Sequence, residues 1–241
     1  MSERPMFAVL RGDRRAELLC DGLISDGFSC QLLSSTDRWK QENLPPPGTV
    51  LLLPREDAAV SRRAEEHGFS VYLYGRDRQF QAENGIITAE CAIQVAMRHR
   101  ERILRESSAL VVGYGNIGRP LYAMLKDFGV ETAVCVHRAE QLRPDLNGFS
   151  VDALPENAGA YDLIFNTAPQ IVFTGEILSC LSKTATIIDL ASSPGGVDRS
   201  AASEMEIRVV PALRLPGLLA PASAADAIRR TVHSAIQEGR L

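Results

Sequence analysis

The stretch ALVVGYGNIG, residues 109–118, decides how this chain is read. An apolar run leads straight into Gly113-Tyr114-Gly115-Asn116-Ile117-Gly118, the pattern GxGxxG. Leu121, Leu125 and Phe128 then recur at helical spacing. Strand, glycine turn and helix in that order are the context the pattern requires. Gly113 permits the tight turn, Gly115 lets main chain approach a pyrophosphate, and Gly118 allows close packing of helix on strand. The helix start offers free N–H groups and the positive end of the dipole to phosphate. Asn116 and Ile117, inside the turn, join the glycines as expected cofactor contacts.

Reading outward from this unit, short apolar runs alternate with helical patterns in both directions. Downstream, strands are expected at 132–136, 162–166, 186–190 and 207–211, with a weak one at 149–151, and a helix at 222–238. Upstream, strands are expected at 7–10, 28–33, 49–53 and 69–74, and helices at 14–26 and 56–67. Residues 75–87 read as a connection. Asn84-Gly85 supplies a turn in it, and Thr88 the N-cap of a linking helix that ends near Ile103. The expected fold is α/β: a Rossmann-type doubly wound parallel sheet plus a smaller N-terminal β/α domain. The expected division is a substrate-side domain over 1–87, a linking helix over 88–103, a dinucleotide-binding domain over 104–221 and a C-terminal helix over 222–241.

Composition narrows the function classes. The chain of 241 residues is 45% hydrophobic and 23% charged, as soluble globular proteins are. A net charge of -4 gives no reason to expect nucleic acid or an anionic membrane as partner. No apolar run approaches the ~20 residues of a membrane span, and the apolar stretch near the start is too short for a secretion signal. Five scattered cysteines without a CxxC pair predict a reduced, cytoplasmic protein with neither disulfide framework nor metal site.

The residues after the second strand of the dinucleotide unit bear on the choice of cofactor. An NAD site carries Asp or Glu there, for the ribose hydroxyls. This chain has Val136-His137-Arg138. Arg138 suits a 2′-phosphate, which a carboxylate would repel. The expectation is NADP, with NAD possible. Ligands of open α/β sheets bind beyond the carboxyl ends of the strands. That marks Asn166, Thr167, Ala168 and Pro169 after one strand, and Asp189, Leu190 and Ala191 after the next, as cofactor-side candidates. Asn166 has a hydrogen-bonding role toward cofactor or substrate, or a loop-capping role; for Asp189 capping is the favoured reading.

Four stretches together resemble the family formed by the A subunit of dipicolinate synthase: NGIITAE (84–90), the GxGxxG segment, Asn166-Thr167-Ala168-Pro169, and DLASSPGGVD (189–198) with the later LPGLLAP (215–221). The resemblance runs from about Asn84 to Val232 and is weaker before it. Arg11-Gly12-Asp13 also resembles a Gly-Gly-Asp turn of that family. The resemblance implies a two-domain oxidoreductase subunit in the cytoplasm, in the mother cell of a sporulating bacterium. It implies work with a flavoprotein, the B subunit of dipicolinate synthase, converting dihydrodipicolinate to dipicolinate (pyridine-2,6-dicarboxylate), and a homo-oligomer is expected.

Substrate contacts are expected on Ser192, Pro194, Gly195 and Gly196 and on Pro216 and Gly217, and a dicarboxylate needs positive groups, for which Arg76 and Arg214 are candidates. Arg11 and the N–H groups at the Thr88 helix start are further anion-binding candidates. Glu90 is the one acid in a family-like motif near the expected interdomain cleft, and with Asn166 it is the candidate for direct chemistry. None of the four histidines sits with a carboxylate in a recognisable constellation. Three features depart from the family: a shorter N-terminal part, Leu213 and Arg214 in place of a proline and a glycine, and Ala222 or Ser223 in place of a lysine. A dehydrogenase of another small carboxylic acid, and a nucleotide-binding scaffold that activates a flavoprotein, stand as alternatives.

Overall fold

The computed structural model describes residues 4–41, 43–192 and 195–241. Contacts divide the chain into two compact units, residues 1–84 with 216–241, and residues 85–215.

In the first unit, β1 (Met6–Leu10), β2 (Ser29–Leu33), β3 (Val50–Leu53) and β4 (Ser70–Leu73) form a parallel sheet in the order β2-β1-β3-β4. Helix α1 (Arg14–Ser25) starts where Asp13 accepts a hydrogen bond from the Arg15 N–H at 3.1 Å, and it buries Ala16, Leu19, Cys20 and Leu23. Helix α2 (Ala58–Glu66) is capped by Asp57 in the same way. Ala8, Leu33, Trp39, Leu51, Leu53, Ala64 and Phe69 make one core cluster. Fully burying each of the larger side chains contributes about 1.5–3 kcal/mol.

The linking helix is longer than its sequence suggests. Helix α3 runs unbroken over Arg78–Arg98. Its cap is Asp77, whose Oδ1 accepts from the N–H groups of Gln79 at 2.9 Å and Phe80 at 3.3 Å. Asn84-Gly85 is therefore mid-helix rather than a turn. Thr88 is a buried helix-interior residue, so the anion site expected at a Thr88 helix start does not exist. The helix ends at Arg98, short of Ile103. Gly85 is there because a Cβ would collide with the main-chain carbonyl of Asn116. Close approach of two backbones, and not turn chemistry, selects this glycine.

The second unit contains β5 (Ser108–Val112), α4 (Gly118–Asp127), β6 (Glu131–Val136), β7 (Gly148–Ser150), α5 (Leu154–Asn157), β8 (Leu163–Asn166), α6 (Gly175–Ser179), β9 (Thr186–Asp189), α7 (Arg199–Glu204) and β10 (Arg208–Pro211). Its sheet is parallel throughout, in the order β10-β9-β8-β5-β6-β7. Every residue of β8 and β9 is buried. Helices cover both faces, which is why these strands read as unbroken apolar runs rather than alternating ones. From β5 the chain goes outward to β6 and β7, then crosses to β8 and continues the other way. The carboxyl ends of β5 and β8, with Val112 beside Asn166, mark the point of reversal.

Helices α8 (Leu215–Leu219) and α9 (Pro221–Gln237) end the sequence. The expected C-terminal helix does form, but α9 belongs to the first unit and packs on α1. Asp26, at the end of α1, holds it through Arg229 Nη1 at 3.2 Å and His233 Nε2 at 2.7 Å. His233 thus does meet a carboxylate, one far away in sequence, as a clip between two helices.

Candidate functional site

The site starts at the end of β5. Gly113 has φ +96° and donates its N–H to the Cys135 carbonyl at 2.8 Å. A Cβ on Gly113 would strike Thr167, and one on Gly118 would strike the Gly113 carbonyl. At Gly115 a Cβ would meet no heavy atom within 4 Å, so the space above this residue is open. Ile117 stands at the N-cap position of α4 and supplies no side-chain cap, which suits the helix start to an anion. On the facing side, Thr167 ties β8 to β5 twice, donating to the Val112 carbonyl from Oγ1 at 2.8 Å and from its N–H at 2.9 Å.

Between these walls lies a cleft of about 470 Å³, lined by residues 113–117, His137, Gln141 and residues 167–170. Of the expected cofactor contacts it brings together Gly113, Gly115, Asn116, Ile117, His137, Thr167, Ala168 and Pro169. Gly118 is buried beneath it as a packing residue. The open space over Gly115, the uncapped helix and the size of the cleft fit a pyrophosphate-bearing dinucleotide. Burial pushes the Cys135 thiol, on the strand beneath, up to about 12, which removes it as a nucleophile.

Arg138 is exposed and does not line this cleft. A neighbouring pocket of about 200 Å³ instead brings Arg119 and Arg143 together with Tyr114 and Gln141. Arg119 lies over the Tyr114 ring, its guanidinium carbon 5.4 Å from the centroid, and Nε donates to the Tyr114 carbonyl at 3.1 Å. Arg143 Nη2 is 3.5 Å from Asp145 Oδ2 on the surface. The residues next to β6 point to Arg138, and this pocket adds Arg119 and Arg143. One lies inside α4 and the other beyond a short 3-10 turn, where spacing alone gives no signal.

Asn166 and Asp189 are both fully buried and form a pair across neighbouring strand ends. Asn166 Nδ2 donates to Asp189 Oδ1 at 2.9 Å, and Asn166 Oδ1 accepts from the Ala168 N–H at 3.3 Å. Asp189 Oδ1 also accepts from the Ala191 N–H at 3.3 Å. Asp189 Oδ2 is buried without a hydrogen bond, 3.7 Å from Arg199 Nη2. Both ends of the Asn166 amide are engaged and the side chain has no exposed surface. Asp189, Leu190 and Ala191 are buried and stand outside the cleft lining.

This pair explains the small residues that follow β9. Gly195 takes φ +97°, and Gly196 lies so close to the Asn166 amide that a Cβ would overlap it. The Gly196 carbonyl then accepts from the N–H groups of Val172 and Phe173, both at 3.0 Å. The glycines therefore seat a loop on a buried polar pair. Ser192 is exposed on it, and Pro194 lies outside the described residues.

The remaining substrate candidates divide between the units. In the first, Arg11 is exposed, 3.7 Å from Glu17, and Pro216 and Gly217 are buried, with no room for a Cβ on Gly217 beside Asp13 and Arg15. In the second, Glu90 is exposed on α3 and does not line the cleft. Arg214, also exposed, has φ +59°, a left-handed conformation costly for any residue with a Cβ. Among the described residues no group of three or more His, Cys, Asp or Glu is placed to hold a metal. Among those residues, too, no helix is long and apolar enough to cross a membrane.

No family model matches the chain. The A subunit of dipicolinate synthase from Bacillus subtilis (strain 168) is 29% identical over 172 residues, which cover 70% of this chain and 58% of that protein. The crystal structure of the dipicolinate synthase A subunit from Bacillus halodurans superposes with a TM-score of 0.83 at 17% identity, covering 95% of this chain and 97% of that one. The apo-structure of D-lactate dehydrogenase from Escherichia coli superposes with a TM-score of 0.64 at 15% identity, covering 97% of each chain. The chain has a parallel-sheet Rossmann fold, shared with the D-lactate dehydrogenase, and in sequence and fold it is similar to the A subunit of dipicolinate synthase.

Proposed function

We propose that the chain is an NADP-dependent dehydrogenase subunit that oxidises dihydrodipicolinate to dipicolinate, together with a flavoprotein B subunit, in the mother cell of a sporulating bacterium. One observation carries this reading: a GxGxxG cleft with an uncapped helix start at the reversal point of a Rossmann sheet, in a relative of the dipicolinate synthase A subunit. When bound, the nicotinamide dinucleotide supplies the hydride acceptor. Main-chain N–H groups at the start of α4 hold its pyrophosphate. Arg119 and Arg143 pair with the 2′-phosphate, a task that two forked guanidinium groups perform well. The Asn166–Asp189 pair fixes the loops leaving β8 and β9 at the nicotinamide end.

Arg214 is the candidate for a substrate carboxylate. Its backbone strain, of order 1–3 kcal/mol, is the kind retained where a side chain has a task. Removing a hydride and a proton from a dihydropyridine creates an aromatic ring, so the step is downhill and needs little acid–base assistance. The test supplies dihydrodipicolinate, made enzymatically, to the full chain with the flavoprotein and either NADP or NAD. Dipicolinate and NADPH should appear in equal amounts, with NADP preferred, and Arg119→Ala with Arg143→Ala should abolish that preference. Dipicolinate formed without NADPH would reject hydride transfer and favour a scaffold that activates the flavoprotein. Leu213 and Arg214, where the resembled family has proline and glycine, favour a second reading: a dehydrogenase of another small carboxylic acid. NADP-dependent turnover of such an acid, with none of dihydrodipicolinate, would establish it.

A further inference from the structure

We propose that the open edge of the six-stranded sheet carries a second anion site, separate from the dinucleotide cleft, for a small molecule bearing two or more phosphate groups. A cavity of about 460 Å³ there is lined by Arg98, His99, Arg100 and Arg208, with Glu101 as the one acid and Val209 and Val210 as an apolar wall. Its volume is close to the 470 Å³ of the dinucleotide cleft.

The cations converge from separate elements. Arg98 closes α3, and a basic residue there also suits the helix dipole. Arg208 has no such reason to be present. It comes from β10 and spends one donor on the His99 carbonyl, Nη1 to O at 3.1 Å, keeping its others for a ligand. Arg100 is more telling. Its side chain is only 9% exposed and its Nη2 is 2.8 Å from Asp162 Oδ2, while its Nε is buried without an acceptor. A buried donor left unmade is costly, and this one belongs to a wall of the cavity.

The edge is poorly suited to adding a strand. The Ala212 N–H donates to the Asp189 carbonyl at 2.8 Å. Even-numbered residues of β10 therefore bond β9, and odd-numbered ones face outward. Pro211 is one of those and has no N–H, so an incoming strand would lack a donor. Convergent guanidinium groups beside such an edge match phosphate oxygens instead.

Calorimetric titration of the full chain with inorganic tripolyphosphate tests this. Arg98→Glu, and Arg208→Gln in a second variant, should each weaken one class of binding about tenfold or more. Arg119→Ala with Arg143→Ala, beside the dinucleotide cleft, should leave that class unchanged. The Arg98 side chain makes no hydrogen bond or ion pair among the described residues, so its replacement removes no such contact; a thermal melt verifies that the fold is kept. Unchanged affinity in both edge variants would overturn the proposal. So would loss of all binding in the cleft variant alone, since tripolyphosphate would then occupy only the dinucleotide site.

Discussion

Replacing Gly85 by alanine sets two known effects against each other. In an unobstructed helix interior, Gly→Ala stabilises by roughly 0.5–1 kcal/mol. Here the new Cβ would lie 2.7 Å from the carbonyl carbon of Asn116 and closer still to its oxygen. The obstacle is main chain, anchored by the Gly113 N–H on Cys135 and by Gly118 packed under the turn, so it cannot swing aside like a side chain tip. Overpacking of this kind costs about 1–3 kcal/mol. Gly85→Ala should therefore lower stability by roughly 1 kcal/mol net, a fall in Tm of about 2–4 °C. Displacing Asn116 also moves N–H groups that face the cleft, so NADPH affinity should fall about tenfold, the equivalent of one good hydrogen bond. Urea unfolding followed by circular dichroism and titration by NADPH fluorescence measure the two effects. The control is Ala82→Gly at an exposed position of the same helix, which should cost ~1 kcal/mol and leave affinity unchanged. A Gly85→Ala protein at least as stable as its parent, with undiminished NADPH affinity, would refute the reasoning.

Other changes isolate other parts. Asn166→Leu leaves the buried Asp189 carboxylate without its amide donor and should cost about 1.5–3 kcal/mol in urea unfolding; a loss under about 0.5 kcal/mol would contradict the pairing described. Arg214→Gly relieves φ +59° and should stabilise by roughly 0.5–1 kcal/mol while weakening carboxylate substrates; equal substrate affinity would remove Arg214 from the site. Burial opposes ionisation of Glu83, but hydrogen bonds from Arg230 and Gln79 outweigh it and hold the carboxyl below its ordinary 4.5. Its contribution is thus complete above the ordinary value and is lost as pH falls through the lowered one. Glu83→Gln should accordingly be less stable than the parent at pH 7, with the gap closing as pH falls through the lowered value; a gap independent of pH would exclude the ionised pair as its cause.

The strands were legible because central parallel strands are buried on both faces and so appear as bare apolar runs: LVV, LIF and TII each mark a strand. The GxGxxG turn was legible because its geometry has so few chemical solutions. Asn84-Gly85 misled because it is a strong local turn signal, overridden by the Asp77 cap before it and by the approach of Asn116, a contact distant in sequence. DLASSPGGVD showed that something must come close to the backbone there. It did not show that Gly196 meets the Asn166 amide, because that depends on two strands being neighbours. The same holds for Arg119 and Arg143, which share a pocket only once α4 and the turn after β6 are in place. The packing of α9 on α1 left no local trace at all.

That last pairing has a consequence for synthesis. Helix α9 covers α1, yet all of residues 85–215 are translated between them. At ~5–20 residues per second, a ribosome takes roughly ten seconds over that interval. The second unit can close during it, while the first waits with the side of α1 that packs on α9 uncovered. A chain interrupted after residue 215 would carry a complete dinucleotide cleft and an unfinished first unit. Chaperones and proteases would meet that unfinished unit first.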